Sequence, residues 1–204
     1  MTQLTDIDTK KRQFLHHLTL LLGSASAAQF LDGSVLSSAL AYSIKANSAD
    51  SDGALLKQHH MHLLKCIVDL VMPKTETLSA SELDVHGFID HQLKTVHSEQ
   101  DQQAVISLLQ KVLNFSQSNF NGPFIAQSFE HQLEVMQCVE AQSKGFDTVD
   151  RKTLKLLKSL IVFGYFTTEY GATQVLKYQA IPGGFKGSIE YTSVGSCWGS
   201  LGFY

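Results

Sequence analysis

The chain has 204 residues and a formal net charge of -3, long enough for one domain with a sizeable core and lacking the basic excess of a nucleic-acid-binding surface. Charged residues make up 17%, below the usual quarter, which fits a surface partly covered by another protein and equally fits ordinary scatter between families. The three cysteines, Cys66, Cys138 and Cys197, are odd in number and far apart, which disfavours a fully paired disulfide framework and leaves room for one pair plus a free thiol.

Residues 1–49 read as a leader-like segment. Lys11, Arg12, Phe14 and Leu15 stand in the series TKKRQFL, similar to a twin-arginine export motif with lysine at the first arginine position. The apolar run 18–22 and the small residues 24–28 follow as the middle and cleavage region of such a leader would. An amphipathic first helix of the folded domain accounts for the same residues. Gly23, Ser24 and Ser26 interrupt the run, which is too short to span a membrane. The polar, turn-rich stretch 47–53 is read as a linker, so the main domain takes residues 50–204.

Helical spacing then dominates. Over 55–72, Leu56, Leu63, Leu64, Ile67, Val68 and Val71 form an apolar stripe that Pro73 ends. On the opposite face His59, His62, Cys66 and Asp69 lie three, four and three residues apart and so project from one side. These residue types bind zinc or redox metals. The spacing also arises on any polar helix face and no second ligand cluster accompanies it, so a solvated or partner-facing surface is the first reading and a metal site the alternative.

Ser79 and Glu82 fit a capping box opening a helix lined by Val85, Phe88, Ile89, Leu93 and Val96. Ser98 caps the next, with Val105, Leu108, Leu109 and Val112 as its stripe. Residues 114–123 break the pattern, and Ser128 caps a helix carrying Phe129, Leu133, Met136 and Val139 that stops near Gly145. Asp150 opens the last long helix, with Leu154, Leu157, Leu160 and Ile161 on one side and Lys152, Lys155 and Lys158 on the other. Beyond Gly164, Glu169 is expected on a half-buried helix among aromatic rings, where its carboxylate needs a donor or water. No stretch alternates with hairpin turns. The expectation is therefore an all-α single domain of about six to eight helices. Pro182, Gly183 and Gly184 end regular structure, and 180–204 reads as an extended strap of glycines and aromatics. Within it, Phe185 and Tyr191 are expected on the chain's own helices, and Trp198 to Tyr204 on a partner.

Catalysis finds little support. There is no glycine-rich dinucleotide loop, no phosphate loop and no serine elbow, and a lone carboxylate such as Glu169 is more often a structural hydrogen-bonding group than a general acid or base.

The ordered series Gly164, Tyr165, Phe166, Thr167, Thr168, Glu169, Gly171, Ala172, Thr173, Tyr178, Pro182 and Gly183 resembles the small (third, or gamma) subunit of bacterial gluconate 2-dehydrogenase and related flavin-dependent sugar dehydrogenases. A second likeness joins the helix ending at Pro73 to Phe88, Ile89 and Asp90; a third is VGSCWGS over 194–200. The chain carries TLSAS where that family often has proline-glycine-alanine, so this loop must be shaped differently. The resemblance implies a non-catalytic small subunit that binds a large flavoprotein of the glucose-methanol-choline type, with or without a cytochrome c subunit, and assists its maturation, export or stability. It further implies that FAD and haem reside in the partners, with none bound by this chain, and a periplasmic place at the inner membrane, or a cytoplasmic one if the leader does not function. Tyr165, Phe166, Glu169, Tyr170, Tyr178, Phe185 and Trp198 are then expected to bind the partner or order the domain. The alternatives are a stand-alone metal-binding protein or enzyme using His59, His62 and Cys66, and a helical adaptor with an unrelated partner.

Overall fold

The structure, a computed structural model, describes residues 42–176 together with 188, 190, 192 and 195. The chain divides into residues 1–42 and 43–204, and apart from Tyr42 the described residues belong to the second unit. Lys11, Arg12, Phe14 and Leu15 of the leader-like segment, Tyr178, and Phe185 and Trp198 of the strap lie outside them.

Five α-helices build the described body: α1 (Gln58–Val71), α2 (Val85–Thr95), α3 (Glu99–Phe120), α4 (Phe129–Glu140) and α5 (Thr148–Thr167). Short 3-10 turns at Ser48–Asp50 and Phe124–Ala126 and a π-helical turn at Gly171–Val175 complete it. No strand occurs among the described residues, and the domain is all-α as its periodicity predicts. α5 is the central element, packing on each of the other four helices. Leu63, Leu64 and Val68 of α1, Ile89 and Leu93 of α2, Val105 and Leu109 of α3, Val139 of α4 and Leu157 and Ile161 of α5 are almost completely removed from solvent.

The caps show which local signals decide helix ends. Ser98 and Ser128 accept from the amides of Asp101 and His131 at 3.2 and 3.4 Å, as expected of serine N-caps. Asp150 is not the cap of α5. Asp147 accepts from the Val149 and Asp150 amides at 2.7 and 3.1 Å, and Asp150 reaches back to the Asp147 amide at 2.9 Å. The helix therefore starts three residues earlier, inside a reciprocal capping box. Lys111 of α3 joins this corner, 2.8 Å from Asp150.

Ser79 and Glu82 do pair as a capping box, with Ser79 donating its amide to Glu82 at 2.8 Å, yet they close a turn rather than a helix. Asp84 then adopts φ 56°, and α2 begins only at Val85. The break expected from residue 114 onward is absent. The Ser116 hydroxyl donates to the Gly122 carbonyl and Asn119 Nδ2 to the Phe115 carbonyl, so polar side chains serve the last turn of α3, and left-handed Asn121 ends it. On α4 the expected stripe is rotated. Val135 and Val139 lie at the centre of the buried arc, while Phe129 and Leu133 at its edge are 57% and 39% exposed. Val96 is also exposed, because α2 ends just before it.

Candidate functional site

The described part of the run that carries the family resemblance, 164–176, forms the junction between the C-terminal end of α5, the loop 72–84 and α2. Its centre is a clamp on one residue. The Tyr165 hydroxyl donates to the Leu78 carbonyl at 2.9 Å, and the Leu78 amide donates to the Tyr170 hydroxyl at 3.3 Å. Both main-chain polar groups of Leu78 are thus satisfied by tyrosines about ninety residues away in sequence, which a loop folded against a helical core requires. Tyr165 is almost fully buried, with Phe166 edge-on at 5.2 Å. Leu78 lies within TLSAS, so the clamp falls where the loop departs from the family's usual sequence.

Two glycines let the backbone close around this clamp. A Cβ on Gly164 would stand 2.7 Å from a Phe88 ring carbon and 3.1 Å from Val85 Cγ1, so glycine permits α2 and α5 to touch. A Cβ on Gly171 would run into the Tyr165 carbonyl. Thr168 makes the turn between: its hydroxyl donates to the Tyr165 carbonyl at 2.7 Å and accepts the Gly171 amide at 3.0 Å.

The outward side of the junction is apolar. Phe163 and Val162 are 57% and 43% exposed, and the Phe163 ring lies 6.0 Å from that of half-buried Phe88. Glu169 is exposed rather than half-buried. The cause is the end of α5: Thr168 takes extended torsions and turns the following residue out of the helical face. The expected residues therefore divide. The Tyr165 and Tyr170 hydroxyls are bonded to the Leu78 main chain, Phe166 is half-buried, and Glu169 faces solvent.

α2 holds a second set of main-chain contacts. Buried Asp90 accepts from the amides of Ala54, Leu55 and Leu56 at 2.6, 3.1 and 2.7 Å, and a Cβ on Gly53 would fall 2.5 Å from its carboxylate. Asp84 accepts the Lys45 amide at 2.8 Å and faces His86 Nε2 at 3.5 Å. Burial pulls the His86 imidazole below its ordinary pKa, with Asp84 opposing that shift. Asp90 is named by the resemblance, but its role escapes sequence reading, since its partners lie 34 to 36 residues away with no local signature. Phe163 was also missed, although its helical phase relative to Lys152 and Lys155 was available.

His59, His62, Cys66 and Asp69 do share one side of α1, but they do different work. His59 is exposed with its ring against His60, and His62 and Cys66 are half-buried. Burial pushes the Cys66 thiol up, assisted by Asp69. Both Asp69 oxygens are engaged by Ser81, through its amide at 2.9 Å and its hydroxyl at 2.7 Å. Among the described residues, no group of three or more His, Cys, Asp or Glu side chains is disposed to hold a metal ion, and no helix is long and apolar enough to cross a membrane.

No curated protein and no solved structure matches the chain. The family described as gluconate 2-dehydrogenase subunit 3 matches residues 58–183, more than half of the sequence, a span that takes in α1 to α5, Asp90 and the tyrosine clamp. The chain belongs to the gluconate 2-dehydrogenase subunit 3 family.

Proposed function

We propose that this chain is the non-catalytic small subunit of a membrane-associated, flavin-dependent sugar or sugar-acid dehydrogenase, where it assists the maturation, export or stability of the large flavoprotein subunit. The observation that supports this reading is a division in and beside the family-bearing run. The Tyr165 and Tyr170 hydroxyls are engaged by the main chain of Leu78, an ordering role, while Phe163 and Glu169 are presented outward, where contact with another protein is the natural use.

A subunit of this kind acts by mass action: binding the folded form of its partner in preference to the unfolded one raises the partner's apparent stability. FAD then belongs to a large subunit of the glucose-methanol-choline type and haem to a cytochrome c subunit. The leader-like residues Lys11, Arg12, Phe14 and Leu15 direct the assembly to the periplasmic side of the inner membrane. Export in the folded state fits this arrangement, because the flavin must be inserted before translocation and one leader can carry both subunits.

The test is co-expression of the large flavoprotein subunit from the same cells with and without this chain. Soluble yield and flavin content of the large subunit are expected to fall when the chain is omitted, and to fall partly with Trp198→Ala. Full yield and flavin loading in its absence would overturn the assignment.

A further inference from the structure

The outer face of α5 is divided along its length. At 3.6 residues per turn, Arg151, Lys152, Lys155, Val162, Phe163 and Phe166 fall within one arc of about 120°, opposite the buried Thr153, Leu157 and Gly164. The first three are exposed cations, and none takes part in an ion pair among the described residues. Lys158, at the edge of the arc, is by contrast paired with Glu140. In a chain of net charge -3, this places three unpaired positive charges on the N-terminal half of one strip. The C-terminal half is apolar, and its outermost ring is held before any partner arrives: Phe163 leans on Phe88 at 6.0 Å, and Gly164 allows the close approach that makes this contact.

We infer that this strip docks on a protein surface that sets acidic side chains beside an apolar recess. Resting on the small-subunit reading above, that surface belongs to the large flavoprotein subunit. A ring already leaning on a neighbour loses less freedom on binding than a free one, which suits Phe163 as the anchor. The cations at Arg151, Lys152 and Lys155 steer the encounter and set its register.

Two other occupants fit less well. A helix lying in a membrane interface carries its apolar residues along one face and its cations on the other. Here they share a face, so sinking Phe163 among acyl chains draws the cations down with it. A second copy packed antiparallel on the strip would lay Arg151, Lys152 and Lys155 over Val162 and Phe163, and the only acidic residue of α5, Asp150, is buried, so that helix offers no exposed carboxylate to meet the cations.

The test measures binding kinetics between the full-length chain and the purified large subunit. Phe163→Ser is expected to speed dissociation about tenfold or more. Lys155→Glu should slow association and flatten its dependence on salt. Phe129→Ser, exposed on α4 and away from the strip, should change neither, and circular dichroism should be alike for all. If the wild-type chain binds and both strip variants bind equally well, the docking face is wrong while the subunit reading stands. If the wild-type chain does not bind, both fall. Binding to anionic phospholipid vesicles that Phe163→Ser and Lys155→Glu abolish would replace the protein partner by a membrane. A dimer in sedimentation that Phe163→Ser dissociates would replace it by a second copy.

Discussion

Asp90 and Asp52 both accept main-chain amides ahead of or within the start of α1, and burial separates their importance. Asp90 is 4% exposed and takes three consecutive amides, whereas Asp52, which accepts from Gln58 and pairs with Lys57, is exposed. Removing the first strands the buried Leu56 amide and two part-buried ones; removing the second returns its donors to solvent. Asp90→Ala is therefore expected to destabilise the fold by about 2–4 kcal/mol, read as a lowered urea midpoint at unchanged slope, and Asp52→Ala to leave the midpoint near the wild type. Equal midpoints for the two variants would remove Asp90 as an anchor. Sequence alone offered no way to rank these two aspartates, because the amides that distinguish them come from a distant segment.

The elements that matter most are α2 and α5, whose approach depends on one missing Cβ. Gly164→Ala puts a methyl group 2.7 Å from the Phe88 ring, so either the ring moves or the helices separate, at a cost of about 1–3 kcal/mol. Thermal unfolding should register that loss, and a melting temperature equal to the wild type would show that Phe88 yields without consequence. At this scale the sequence was legible wherever the signal was local. Ser98 and Ser128 cap as their identity demands, and the inner face of α5 follows its apolar period. It was illegible where tertiary contacts overrode local preference. Ser79 and Glu82 form their capping box but left-handed Asp84 delays the helix, and the polar residues of α3 that look like a loop bond to their own helix terminus. The rotation of α4 depends on which of two apolar edges meets α5, and periodicity alone assigns them equal weight.

Among the described residues, two buried histidines make stability depend on pH below neutrality. Burial is the leading cause that lowers the pKa of His60 and of His86; the neighbouring His59 adds to it for His60, and Lys65 and His62 add to it for His86, against Asp84 and Asp69. For such groups the unfolded chain binds protons more readily than the folded one, so stability rises with pH between the folded pKa and the ordinary value of 6.5 and is lost as pH falls through that window. Each histidine contributes at most about 1.4 kcal/mol per pH unit there. Glu82 and Glu134, whose lysine partners hold them below 4.5, act at lower pH and do not blur the window. Urea midpoints taken at several pH values between about 5 and 7.5 should decline toward acid in the wild type, and His86→Gln should flatten that decline. A pH-independent midpoint in the wild type would contradict it.

The grip of Asp84 and Asp90 on residues 45–56 has a mechanical meaning. Those two side chains hold amides and ignore the identity of the residues that own them, apart from Gly53, where no Cβ fits. Tension applied at Lys45 would load its bond to Asp84 first, then the buried Ser48 and Ala49, and then the three bonds on Asp90 before α1. The carboxylates thus work as a strain relief, holding residues 45–56 so that the helical body keeps its shape.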